Sequence, residues 1–282
     1  MIKTIKTMSK QEKERYTVPR KVQDVIPVRR IWPDGIFLTG NRFSKTYRFS
    51  DINYLVASRE DKESMFLTYS ELLNSLDSGA VTKITINNRR MNQANFETSI
   101  LMPMQGDFRD EYRGEYNQML LDKATGANGI MQEKYITISV VKKDVEEARA
   151  YFSRVGADLI SHFAALGSKC VELDATERLR ILHDFYRQGE ESEFVFNARE
   201  MMKRGHSFKD YICPDSMELS PDFFLIGDRY GRALYLKDYA SYIKDDFLAE
   251  LCGIERPLLL SVDIIPVPTD EAVRGGESRR SA

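Results

Sequence analysis

Two stretches of the chain share one pattern: FLTGNRFSKTYRFSD at residues 37–51 and FLIGDRYGRALYLKD at residues 224–238. Each is typical of a β-hairpin, with a glycine in the turn where a positive φ is needed. Five identities fall at one constant offset: Phe37 with Phe224, Leu38 with Leu225, Gly40 with Gly227, Arg42 with Arg229, and Asp51 with Asp238. In both copies we predict that the hairpin leads into a helix capped by aspartate and then into an apolar strand. Duplication or structural mimicry would explain the match.

This repeat predicts an α+β fold with small mixed or antiparallel sheets and packed helices. Its two related hairpin–helix–strand units suggest ferredoxin-like sub-domains. A unit of this size cannot bury its sheet face alone, so we expect each unit to pack against the rest of the chain.

The composition describes a globular chain of 282 residues with a net charge of -2. Its 41 basic and 43 acidic side chains nearly balance, so the chain has no overall electrostatic field that would attract it to nucleic acid or to a membrane surface. The apolar runs are too short to span a bilayer, and the N-terminus carries no secretion signal. Three widely spaced cysteines indicate a reducing cytoplasm, and with three histidines they form no zinc-binding spacing, so a metal site is not expected.

Apolar periodicity predicts most of the remaining elements. A helix is expected from Asp51, with a second after Arg59, and others at residues 108–123, 144–166 and 174–187. Asp144 and Asp174 each precede a glutamate by three residues, which is the spacing of a capping box. The strongest strand patterns are VTKITIN at residues 81–87 and YITISVV at 135–141, with a last strand at 258–267. The faces expected to be buried are Met65, Phe66, Tyr69, Leu72, Leu73 and Leu76 in the helix after Arg59, and Tyr112, Tyr116, Met119 and Leu120 in the helix at 108–123.

The domain organisation follows from shifts in this pattern. We predict a basic, partly disordered arm at residues 1–30 and a first α+β unit at 31–188. A linker with a short helix follows at 189–221, then the second hairpin–helix–strand unit at 222–268 and a disordered tail at 269–282.

Four arginines are candidates for an interaction surface. Arg42 and Arg229 occupy equivalent positions in the two hairpins and are expected to pair first with nearby carboxylates. Arg89 and Arg90 lie in NNRRMNQANF, whose mixture of cations, amides and one aromatic suits single-stranded nucleic acid. A polar loop after a strand explains this segment equally well, and the balanced charge of the chain favours the loop.

No catalytic signature is present in the sequence. The G-x-x-x-x-G-K-[ST] loop that binds phosphates and the G-x-S-x-G nucleophile turn are both missing. Asp107, Glu111 and Glu115 would share one helix face and could support a metal-dependent hydrolase or nuclease. A solvated acidic face is the commoner explanation. His162 lies on an apolar stripe, and His183 is beside Asp184, where adjacent side chains of a helix do not face each other.

Several segments in combination resemble one family. They are the first hairpin, DKESMFLTYSELLNSLDSGAVTKITINNRRMN, YITISVVKKDVEEARAYF and CGIERPLLLSVDIIPVPTDEAV. The chain resembles the N-terminal region of the TraE-like conjugal transfer ATPases, relatives of the fourth VirB component of type IV secretion systems, as found on Gram-positive integrative conjugative elements. The similarity covers residues 10–274.

The resemblance implies a docking and assembly domain of an ATPase that is cytoplasmic and peripheral to the inner face of the membrane. Its partners would be membrane channel components of the conjugation apparatus, and the full-length family protein would form a homo-oligomer. ATP and Mg²⁺ belong to a motor domain that we expect to be missing, through a truncated gene, a frameshift or a cloning boundary. No cofactor, catalytic activity or direct nucleic-acid binding is therefore expected of this chain. The helix at residues 144–166 and the two hairpins are the expected contact surfaces.

Overall fold

A seven-stranded antiparallel sheet organises the chain, and a separate three-stranded sheet carries the second hairpin. The computed structural model describes residues 19–52, 54, 56–77, 79–90, 101–126, 130–237 and 247–267. The helices are α1 (Val22–Val25), α2 (Arg59–Asn74), α3 (Asp110–Gly126), α4 (Val145–Ala165), α5 (Ala175–Tyr186), α6 (Ala198–Arg204) and α7 (Phe247–Cys252). The strands are β1 (Val28–Ile31), β2 (Phe37–Thr39), β3 (Arg42–Phe49), β4 (Val81–Arg90), β5 (Ile130–Val141), β6 (Cys170–Glu172), β7 (Met217–Leu219), β8 (Phe224–Ile226), β9 (Arg229–Gly231) and β10 (Leu258–Ile264).

The strand order of the large sheet is β1-β2-β3-β5-β4-β10. Strand β3 pairs with β5 along its whole length, with β2 through its first residues and with β6 through its last. The two sheets contain antiparallel pairs among the described strands, so the expected α+β class with antiparallel sheets is confirmed.

The helices α2 and α4 cover one face of this sheet. Alternate residues of β5, among them Ile136 and Ile138, point to this face and are fully buried. The predicted cap of α4 is confirmed, because the Asp144 carboxylate accepts the amide of Glu147 at 2.9 Å. The apolar stripe of α4 is buried in this first core, with Phe163 facing inward, and therefore does not form a contact surface.

The opposite face of the sheet is covered by α5 and the segment that follows it. Here a second core gathers Ile26, Val28, Phe37, Leu179, Phe194, Phe208 and Ile212. The predicted capping box of α5 is confirmed on both sides, since Asp174 and Glu177 each accept the other's amide. Residues of the predicted arm and of the predicted linker thus contribute side chains to one core.

Both repeated hairpins form, each with a two-residue loop. Strand pairing joins Thr39 to Arg42 and Ile226 to Arg229. Gly40 and Gly227 take φ values of 60° and 58°, which L-residues with a side chain rarely adopt. The glycine prediction is confirmed.

The two copies differ after the hairpin. The prediction that Asp51 caps a helix is wrong, because the carboxylate pairs with Lys134 and Ser58 caps α2 instead. Asp238, its counterpart, lies outside the described residues. The first hairpin belongs to the large sheet and the second hairpin to the small one. Strand β10, which follows the second hairpin in the chain, nevertheless pairs with β4 of the large sheet.

The prediction that α3 has a buried apolar stripe is also wrong. Tyr112, Tyr116 and Met119 are exposed, and Phe108 just before the helix is 83% exposed. The side-chain amide of Asn117 accepts from the backbone N–H of Met102 at 2.8 Å and donates to the Met102 carbonyl at 2.9 Å, which joins α3 to the segment just before it. The hairpin connection that contains α3 therefore presents an apolar surface to solvent.

Candidate binding cleft

An apolar cleft of about 950 Å³ opens between α2 and the large sheet. Phe49, Ile84 and Ile136 of the sheet form its floor. Phe163, near the end of α4, closes one side and stacks on Phe49 with ring centroids 4.9 Å apart. The volume is within the range of roughly 300–1,000 Å³ that ligand pockets occupy.

The wall of the cleft is made by α2, which packs closely only at its C-terminal half. Leu72 and Leu76 are buried in the first core, whereas Phe66 and Leu67 are 66% and 62% exposed. The prediction that Phe66 belongs to a buried face is therefore wrong. A helix that approaches the sheet at one end leaves a wedge of unfilled apolar space at the other, and this wedge is the cleft.

The rim of the cleft carries balanced charges. Arg59 pairs with Glu63 at 3.1 Å, and the Lys62 ammonium lies 5.1 Å from the centre of the Tyr54 ring. Burial raises the pKa of Tyr69, so its hydroxyl is neutral at physiological pH. The lining is thus suited to holding apolar side chains.

Sequence reasoning missed this cleft, although a signal was present. Met65, Phe66 and Leu67 are consecutive in α2. Successive residues of a helix are about 100° apart, so three in a row cannot all point into one buried face. Part of this apolar run had to face either solvent or a partner.

Arg89, a predicted interaction residue, is half-buried in an ionic network instead of lying in a loop. Its guanidinium donates to Glu133 at 2.7 and 3.3 Å, and Nη1 is 3.9 Å from the Asp184 carboxylate on α5. The Tyr135 hydroxyl also donates to Glu133, at 2.8 Å. Burial by itself would raise the pKa of Glu133, but the bonds and charge of Arg89 bring it below its usual value. The network joins the sheet to α5.

His183 and Asp184, next to this network, are both buried. Nδ1 of His183 lies 3.4 Å from the Asp184 carboxylate, so these neighbours do approach each other despite their adjacent helix positions. The ring also contacts Phe194, with centroids 5.0 Å apart. His162 is half-buried on α4, and its Nδ1 lies 2.8 Å from the carbonyl of Asp158. His183 therefore packs against neighbouring side chains, whereas His162 contacts a carbonyl of its own helix.

The other predicted arginines lie apart from the cleft. Arg229 is half-exposed, with Nε 3.1 Å from the neighbouring Asp228 carboxylate. Arg42 begins β3, and its buried Nη1 has no hydrogen-bond partner among the described residues. Arg90 ends β4, so neither Arg89 nor Arg90 is in a loop. The structure does not bring the four together.

The three carboxylates proposed for metal chemistry do not share a helix face. Helix α3 begins only at Asp110, and Arg113 pairs with both Asp107 and Asp110 at 2.5 Å. Hydrogen bonding to Arg113 lowers the pKa of Asp107. Glu111 and Glu115 are exposed to solvent. Within the described residues, no group of three or more His, Cys, Asp or Glu side chains is placed to hold a metal ion.

Apolar side chains are also exposed around the second hairpin. Tyr230, Leu234 and Tyr235 are each more than three-quarters exposed. Together with the α2 cleft and the α3 stripe, they expose apolar surface within the described part of the chain, and exposed apolar patches are typical of proteins that bind other proteins. None of the helices in the described ranges is long and apolar enough to cross a bilayer.

No model of a protein family matches the sequence, and no curated protein matches it significantly. The function is therefore inferred from the cleft and the exposed surfaces.

Proposed function

We propose that this chain is a docking and assembly module, the N-terminal region of a TraE-like conjugal transfer ATPase. The observation that carries the proposal is the apolar cleft beside α2, with Phe66 and Leu67 exposed at its edge. Burying one such side chain in a partner stabilises a complex by about 1.5–3 kcal/mol. The cleft is large enough for several side chains of a partner helix.

The chemistry of the cleft favours an amphipathic or apolar helix as its ligand. Recognition of this kind places residues spaced by three and four positions into a hydrophobic groove. A membrane channel component of the conjugation apparatus would supply such a helix at the inner face of the membrane. This chain would then be held at the membrane peripherally, through its partner, while ATP and Mg²⁺ act on a motor domain outside it.

The two rival functions gain no support from the described residues. A metal-dependent hydrolase would need Asp107 free to bind the ion, but Arg113 holds its carboxylate. A nucleic-acid module would need Arg89 free to reach a phosphate or a base, but Glu133 occupies its guanidinium.

Site-specific photocrosslinking tests the proposal. A photoreactive amino acid would replace Phe66 in cells that carry the whole transfer apparatus, and adducts would be identified by mass spectrometry. We expect an adduct with an integral membrane component of that apparatus. Leu67→Ser should reduce the yield of this adduct severalfold, because it removes apolar contact area and leaves the buried half of α2 untouched.

Val195 provides the matched control, since it is 76% exposed and lies away from the cleft lining. The same photoreactive residue at position 195 should give no membrane-protein adduct. Equal labelling from positions 66 and 195, or no membrane-protein adduct from position 66, would refute the docking role.

A further inference from the structure

Strand β10 forms one edge of the large sheet. All seven of its residues pair with β4 in an unbroken register, from Leu258 opposite Asn88 to Ile264 opposite Thr82. Among the described residues no strand pairs with its outer side. Edge strands are usually protected by a bulge, a proline or charged side chains, lysine above all. The segment LLLSVDI has no bulge, proline or lysine, and its one charged side chain, Asp263, lies 3.5 Å from Lys83 of β4.

The two faces of β10 differ in character. Leu260 and Val262 lie opposite Ile86 and Ile84, so the even-numbered residues continue the apolar face that α2 and α4 cover. The cover is incomplete at this edge, where Val262 remains 38% exposed. The apolar face of the sheet thus extends to a strand that the described helices only partly cover.

The sequence of β10 is complementary to itself about Ser261. In an antiparallel pair of two copies centred there, Leu258 faces Ile264 and Leu260 faces Val262, so the apolar residues of the even-numbered face meet one another. The only charged residue, Asp263, faces Leu259 and already lies 3.5 Å from Lys83 of its own chain. No like charges are opposed.

This register is the one that pairs all seven residues, because Pro257 and Pro266 bound the strand on either side. Other centres would shorten the ladder or bring a proline into it, where it cannot donate a hydrogen bond. We propose that β10 is a self-association surface, through which two copies of this chain form a two-fold symmetric dimer with one continuous sheet. Such an interface presents the same patch on both subunits.

Charge reversal at the symmetry axis tests the dimer with the full chain. Ser261 is exposed, so Ser261→Lys and Ser261→Glu should fold normally by circular dichroism. In each variant the substituted residue meets its own copy, and we expect the dimer to weaken at least about tenfold in sedimentation velocity. An equal mixture of the two variants should restore dimers, because opposite charges then meet at the axis.

A cysteine at the same position tests the register. Ser261→Cys should give a disulfide-linked dimer under mild oxidation, since directly opposed residues of antiparallel strands bring their side chains close enough to bridge. Ser161, exposed on α4, supplies matched controls: Ser161→Lys should leave association unchanged and Ser161→Cys should form no such dimer.

A wild-type chain that remains monomeric at all accessible concentrations would overturn the proposal. So would a Ser261→Lys variant that associates as strongly as wild type. The result is separable from the docking proposal, because Leu67→Ser alters the cleft alone and should leave the dimer intact, whereas Ser261→Lys should leave crosslinking from position 66 unchanged.

Discussion

Gly156 allows α4 to approach the sheet closely, and its replacement by alanine should destabilise the protein. A Cβ at this position would lie 2.6 Å from the Tyr47 hydroxyl oxygen and 3.3 Å from two of its ring carbons. Tyr47 is fully buried, so its ring has no free space into which it can move. Burial also holds the pKa of Tyr47 above its usual range, which keeps the hydroxyl protonated and able to donate to the Phe152 carbonyl at 3.4 Å.

Two opposing effects determine the size of the change. Alanine favours a helix over glycine by about 1 kcal/mol. Overpacking a rigid core costs about 1–3 kcal/mol, and a contact of 2.6 Å belongs to the upper part of that range. We therefore expect Gly156→Ala to lower the free energy of unfolding by about 1–2 kcal/mol.

Gly114 in α3 is the matched control. A Cβ there would meet only the Met104 methyl carbon, at an ordinary contact distance of 3.6 Å. Gly114→Ala should thus stabilise the protein by up to about 1 kcal/mol, because the propensity gain is unopposed. Urea denaturation followed by far-ultraviolet circular dichroism would measure both variants, with the slope against denaturant expected to be unchanged.

The double variant Tyr47→Phe/Gly156→Ala identifies the cause. Removing the hydroxyl takes away the 2.6 Å contact, so the cost of Gly156→Ala should be smaller in the Tyr47→Phe background. If Gly156→Ala were as stabilising as Gly114→Ala, or if Tyr47→Phe brought no relief, the reasoning about close approach of α4 to β3 would be refuted.

Three further predictions concern contacts that hold the sheet and helices together. Glu133 has a lowered pKa in the folded state because it pairs with Arg89. The stabilisation that this pair gives the folded protein is fully present above the ordinary pKa of 4.5, and it is lost as the pH falls through the lowered pKa. Glu133→Gln should flatten the acid limb of stability measured against pH, and an unaltered acid limb would exclude this pair as its origin. Asn88→Ala should cost about 0.5–1.5 kcal/mol, because it removes the amide that donates to the Cys252 carbonyl at 2.7 Å, while the Gln132 amide still donates to that carbonyl at 3.2 Å. Hydrogen exchange should show lost protection in β10 before β3, and equal loss in both would contradict this local role. Asp174→Ala should lower stability by about 1 kcal/mol through loss of the α5 cap, with Asp174→Asn close to wild type in thermal melts.

The local elements were predictable from the sequence because neighbouring residues create them. Gly40 and Gly227 supply the backbone conformation of a two-residue loop, and strands on either side follow from their apolar residues. Asp144 and Asp174 cap helices through amides three positions away. These interactions are within one turn of the chain, so no distant residue can override them easily.

The surroundings of each element were less predictable. An apolar stripe on a helix shows only that one face is apolar, and it does not show whether anything is within reach to cover it. Helix α4 has the sheet beneath it, whereas α3 extends from the β4–β5 hairpin with Tyr112 and Tyr116 in solvent. Arg89 is similar, because its partners Glu133 and Asp184 come from distant parts of the sequence.

The sequence by itself therefore determined the α+β class, the two hairpins and the caps of α4 and α5, because each depends on interactions between residues close in the chain. Only the tertiary structure decided that α2 stands away from the sheet to leave a cleft, and that β10 pairs with β4 to become an edge. Both depend on which distant strands and helices meet, and hydrophobic burial, which drives such meetings, is not directional.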